Sequence, residues 1–170
     1  MTNKEEQEKL YKLIMTAAVR CDVEAAKKFI QTDTKADSVL GINDITPLYM
    51  ASQYGCAEVV KLLLAQDGIE VNKALSNNGR TPMYVACQKG HTEIVKLLLG
   101  QDGIDANKAK TDDGATPLFT AAQCGHTEIV KLLLRKDGID ANKAKTDGTT
   151  PLLTAGRGGH TEIVKLLQGE

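Results

Sequence analysis

The decapeptide GHTEIVKLLL occupies residues 90–99 and again 125–134, nine of its letters recur at 159–167, and a near copy, GCAEVVKLLL, stands at 55–64. The steps Thr46-Pro47, Thr81-Pro82, Thr116-Pro117 and Thr150-Pro151 follow one another at spacings of 35, 35 and 34 residues, and Gly55, Gly90, Gly125 and Gly159 keep the same spacings. A fixed period of this length restricts the chain to similar units stacked in series. Residues 81–112 and 116–147 differ at only seven positions. A residue shared by the copies therefore serves the unit, and the positions where copies disagree are left to carry specificity.

Each unit can be read from its chemistry. The Thr81 hydroxyl suits a helix N-cap, and Pro82 suits the first helical position, where its missing amide hydrogen would have no partner anyway. A short helix follows, which Gly90 ends by taking the left-handed conformation. The second helix carries TEIVKLLL, with Ile94, Leu97 and Leu98 on one face, Val95 and Leu99 widening it, and Glu93 and Lys96 left for water. So wide an apolar surface needs neighbouring units on both sides. The segments QDGIEVNKALSNNG, QDGIDANKAKTDDG and KDGIDANKAKTDG between units are rich in Asp-Gly and Asn-Gly steps and read as projecting, hairpin-like turns.

Before the first Thr-Pro step, residues 14–30 keep the pattern: Ala17, Glu24, Lys27, Phe29 and Ile30 match Ala51, Glu58, Lys61, Leu63 and Leu64, while Lys28 replaces the leucine of Leu62. At the other end Gln168 replaces the leucine of Leu64, Leu99 and Leu134. Terminal units need a polar outer side, and these substitutions supply one. The expected units span about 8–42, 43–77, 78–112, 113–147 and 148–170, the first and last as caps.

Composition bounds the partners. Lys+Arg 21 against Asp+Glu 22 gives a net charge of -1, so no global field favours nucleic acid or an anionic membrane. The opening MTNKEEQEKLYK is charged and no apolar run is long enough to span a bilayer, which sets an intracellular, cytoplasmic address as the expectation, the nucleus included. Cys21, Cys56, Cys87 and Cys124 form no CxxC pair and sit at different offsets in the repeat. Reduced, unpaired thiols are expected, not a disulfide framework or zinc site.

TPLY at 46–49, TPMY at 81–84, TPLF at 116–119 and TPLL at 150–153 are each followed by a glycine step and a V-K-L-L core. On these motifs, over about residues 8–170, the sequence resembles the ankyrin repeat family. The tetratricopeptide alternative has a similar period, but its tryptophan-containing signature is absent. The resemblance implies an all-α solenoid of about five helix-turn-helix units with hairpin-like finger loops. The family usually has histidine after Thr-Pro-Leu; Tyr49, Tyr84, Phe119 and Leu153 stand there instead, so the polar ladder through that histidine is not carried over. The unit is also two residues longer than usual, which implies longer fingers.

His91, His126 and His160 share one offset, as do Asp67, Asp102 and Asp137, and as do Lys61, Lys96, Lys131 and Lys165. Groups one unit apart cannot converge on one atom, so structural roles are expected, with no catalytic residue, cofactor or metal. The variable positions are more informative. The family's partners usually dock on the concave surface of finger tips and first helices, which the resemblance places at Ile45, Gln53, Tyr54, Asn77, Asn78, Arg80, Gln88, Lys89, Asp112, Asp113, Gln123, Cys124 and Arg157. Tyr54, Arg80, Lys89 and Arg157 lead that set, since tyrosine and arginine often dominate interface energies. The expected function is a monomeric, non-enzymatic scaffold or adaptor for another protein. The alternative is a structural spacer or consensus-like engineered repeat protein with no natural ligand, a reading motivated by the near identity of two units.

Overall fold

A computed structural model describes residues 2–31 and 45–169. The boundary expected between residues 42 and 43 lies outside the described residues. The described residues form ten α-helices and no strand: α1 (Thr2–Arg20), α2 (Val23–Ile30), α3 (Pro47–Tyr54), α4 (Ala57–Leu64), α5 (Pro82–Lys89), α6 (Thr92–Leu99), α7 (Pro117–Gln123), α8 (Thr127–Leu134), α9 (Pro151–Arg157) and α10 (Thr161–Gln168). The odd-numbered helices pack in series as one layer, and the even-numbered helices pack in series as a second.

The Thr-Pro steps start the odd helices as their chemistry dictates. Thr46, Thr81, Thr116 and Thr150 accept hydrogen bonds at Oγ1 from the backbone amides of Tyr49, Tyr84, Phe119 and Leu153, at 3.1, 3.1, 3.1 and 3.2 Å. These bonds satisfy donors that the helix itself leaves open. Gly90 closes α5 at φ +79°, a left-handed conformation that a side chain rarely adopts.

One apolar core runs through the stack from Ile14 and Phe29 to Ile163. Leu63, Leu98 and Leu133, at one repeat offset, are each fully buried, which shows the copies shielding one another. Among the described residues the last unit packs against one neighbour only. There Leu152, Val164 and Leu167 are half-buried, although their counterparts Leu118, Val130 and Leu133 are buried, and Gln168 is exposed. The exposed Lys28 is the corresponding polar residue of the first unit.

Polar brackets hold the units in register. The Asn72 amide donates to the Gly103 carbonyl at 2.7 Å and accepts from the Asp105 amide at 2.9 Å; Asn107 does the same with Gly138 and Asp140 at 2.7 and 3.0 Å. Using both ends of one carboxamide fixes spacing as well as direction. The rings of His91, His126 and His160 lie with Nε2 at 3.2 Å from the carbonyl oxygens of Gln53, Gln88 and Gln123. So the histidines do link the stack, from the entrance of the second helix and not from the position after Thr-Pro-Leu.

The cysteines require a correction. Reduced, unpaired thiols were expected at all four positions, but Cys21 and Cys56 are joined in a disulfide, leaving Cys87 buried and Cys124 exposed as free thiols. Offsets within the unit conceal this pair, because the contact between units brings together two different offsets: the glycine of one unit and the histidine of the next. Cys21 and Cys56 occupy those two places at the first junction.

Candidate partner-binding face

The fingers are built by short-range turns. Leu75, Lys110 and Lys145 donate backbone hydrogen bonds to the carbonyls of Arg80, Ala115 and Thr149 at 3.0, 3.0 and 2.9 Å. Inside each turn a short polar side chain accepts from the amide two residues on: Asn78 from Arg80 at 3.0 Å, Asp113 from Ala115 at 3.0 Å, Asp147 from Thr149 at 2.8 Å. Such local bonds are why Asn and Asp recur at turns. Successive fingers are then joined by Thr111 donating to the Asn78 carbonyl and Thr146 to the Asp113 carbonyl, both at 2.9 Å.

This row of fingers lies beside the odd helices, and cations bridge the two. The Arg80 guanidinium sits 5.8 Å from the Tyr84 ring centre, and the Lys145 ammonium 5.4 Å from that of Phe119, within cation–π range. Burial raises the Tyr49 phenol above its ordinary value, while the charge of Arg80 and its hydrogen bond to Tyr49 pull the other way. Farther along, Lys110 pairs with Asp112 and Asp113 at 3.1 and 3.2 Å, and Lys145 with Asp113 and Asp147 at 3.2 and 3.6 Å. Asp113 thus spans two fingers. Partial burial works to raise its carboxyl, but the Ala115 amide, Lys110 and Lys145 hold it below the usual range. A hollow of about 370 Å³ opens between α7, the next finger and α9, lined by Phe119, Gln123, Lys145, Asp147, Thr149, Thr154, Arg157 and Gly158.

A family model described as ankyrin repeats, in three copies, matches residues 14–110 and 103–170. The chain belongs to the ankyrin repeat family. Ankyrin repeats are generally protein–protein interaction modules. No match was found among curated proteins. Among the described residues of this ankyrin stack, no helix is long and apolar enough to cross a membrane, and no three His, Cys, Asp or Glu side chains gather as a metal site would require.

The residues expected on the partner face fall into three groups in the ankyrin structure. Tyr54, Asn77, Lys89, Gln123, Cys124 and Arg157 are exposed, with Gln123 and Arg157 brought together at the hollow. Asp112 and Asp113 belong to the finger ion network, and Arg80 lies against the aromatic rings. Ile45, Gln53, Asn78 and Gln88 are half-buried. Ile45 packs against Tyr49, Leu75 and Val85, the backbones of Gln53 and Gln88 carry inter-unit hydrogen bonds, and the Asn78 carbonyl joins two fingers.

Sequence reasoning passed over Lys110, Lys145, Tyr49, Tyr84 and Phe119. The lysines recur one repeat apart, as scaffold residues do, and the aromatic residues stand where the family usually has histidine. The available signal was their combination, a basic residue in the finger and an aromatic residue three positions after the capping threonine.

Proposed function

We propose that the protein is a non-enzymatic adaptor that binds an acidic segment of a partner protein on the concave surface of its fingers and first helices. One observation carries the reading. The carboxylates of Asp112, Asp113 and Asp147 are engaged by Lys110 and Lys145, whereas Arg80, Lys89 and Arg157 have no ion-pair partner among the described residues. The guanidinium of exposed Arg157 offers a fork that a carboxylate can engage through two hydrogen bonds. Exposed Tyr54 adds large contact area at the C-terminal end of α3.

In this reading the protein works as a cytoplasmic or nuclear monomer without cofactor, nucleic acid or membrane. A structural spacer with no ligand is the second reading, favoured by the near identity of residues 81–112 and 116–147. A display library of short peptides of varied net charge separates them. The adaptor reading predicts selection of acidic peptides and at least about tenfold weaker binding by a Lys89→Gln/Arg157→Gln variant, whose exposed side chains leave thermal unfolding unchanged. Selection of no peptide, or equal binding by the variant, contradicts it.

A further inference from the structure

Three of the four junctions between units share one clasp. Gly55 faces the ring of His91, Gly90 that of His126 and Gly125 that of His160, so closely that a Cβ on these glycines would lie 2.8, 2.7 and 2.6 Å from the nearest ring atom. At the first junction the same two places hold Cys21 and Cys56, bonded to each other with Cα atoms 4.8 Å apart. Cys21 takes the glycine's left-handed backbone, φ +55°, as the only non-glycine residue to do so among the described residues. Cys56 takes the histidine's place at the entrance of α4, its Sγ 3.0 Å from the Ala18 carbonyl oxygen. In the disulfide that sulfur has no hydrogen to donate; as a thiol it has one, so reduction gives the Ala18 carbonyl a donor.

We propose that Cys21 and Cys56 form a thiol–disulfide exchange site at which a small-molecule disulfide such as glutathione disulfide reversibly locks the first unit onto the second. The exposed Cys21 is the entry point and the buried Cys56 the resolving group. A Cys21 thiolate attacks one sulfur of glutathione disulfide, the S–S bond breaks, and one glutathione leaves as a thiolate that takes up a proton. Cys56, losing its proton, then attacks the Cys21 sulfur of the mixed disulfide and expels the second glutathione. Two protein thiols and one small disulfide become one protein disulfide and two small thiols. Cys87 stays outside this chemistry because burial pushes its thiol far up, out of the thiolate range.

The clasp ties α1 and α2 to a stack that they otherwise hold through Ile14, Ala17, Ala18, Ala26 and Phe29. A crosslink of this span acts chiefly on the opened state, so reduction releases the first unit locally and not the whole array.

The test is hydrogen exchange of the full chain in glutathione buffers of defined oxidised-to-reduced ratio. In reduced buffer, amides of α1 and α2 exchange faster by about tenfold or more, while α5 to α8 are unchanged. Cys56→Ser shows the fast rate in both buffers. Cys21→Gly/Cys56→His, which writes the repeat's own clasp into the first junction, shows the slow rate in both. Equal protection of wild type in the two buffers overturns the proposal, as does a glutathione adduct on Cys21 that never resolves into the internal disulfide.

Discussion

The Nε2 atom of His126 lies 3.2 Å from the backbone carbonyl oxygen of Gln88, in the preceding unit. A carbonyl can only accept, so Nε2 carries the hydrogen and the ring is a directed link between units. The Gly90 backbone lies directly against this ring, at a place where a Cβ would stand 2.7 Å from it. His126→Ala should therefore cost about 1 to 3 kcal/mol, through the lost bond and the carbonyl left without it. Gly90→Ala should cost more than Gly103→Ala, since both have positive φ but Gly103 faces open space. The losses from Gly90→Ala and His126→Ala combined should be less than additive, as removing the ring removes the clash; urea unfolding of the four proteins checks this.

The finger ion network sets a pH window. Asp112, Asp113 and Asp147 titrate below the ordinary 3.8, so the stability they confer is present above that value and is lost as pH falls through their folded pKa. Lys110 and Lys145 titrate above the ordinary 10.5, so their contribution is full below that value and is lost as pH rises through the folded one. Asp113→Asn should destabilise the protein by about 1 kcal/mol at neutral pH, a modest figure because the partners are partly exposed. The difference from wild type should shrink toward zero below pH 3.8. A difference that persists undiminished in acid would assign the effect to the turn alone.

Thr116 is buried and holds the Phe119 amide at 3.1 Å. Thr116→Ala should cost about 0.5 to 2 kcal/mol, and Thr116→Ser should recover most of it, since the hydroxyl is the capping group. Thermal unfolding followed by circular dichroism reads both. Equal losses in the two variants would mean that the methyl group, and not the cap, matters.

The period made the helix pairs, their threonine caps and the shared core legible, because each copy repeats the same local chemistry. Contacts that join different offsets were not legible: His91 meets Gln53, and Cys21 meets Cys56, through geometry that an alignment of copies conceals. For the same reason the period does not reveal that Lys145 reaches both Asp113 and the face of Phe119. Variation between copies pointed to Arg80 and Arg157, but that Ile45 packs inward depends on Leu75 and Val85, which lie in the next finger and helix.

Each unit is stabilised by having its apolar sides covered by its neighbours. Leu98 and Leu167 compare a fully covered with a half-covered position, since they share one repeat offset, yet Leu98 lies fully buried between two units and Leu167 half-buried at the last. In urea unfolding, Leu98→Ala should cost about 2 to 5 kcal/mol and Leu167→Ala no more than about half as much. Equal losses at the two positions would mean that neighbouring units supply no such stability.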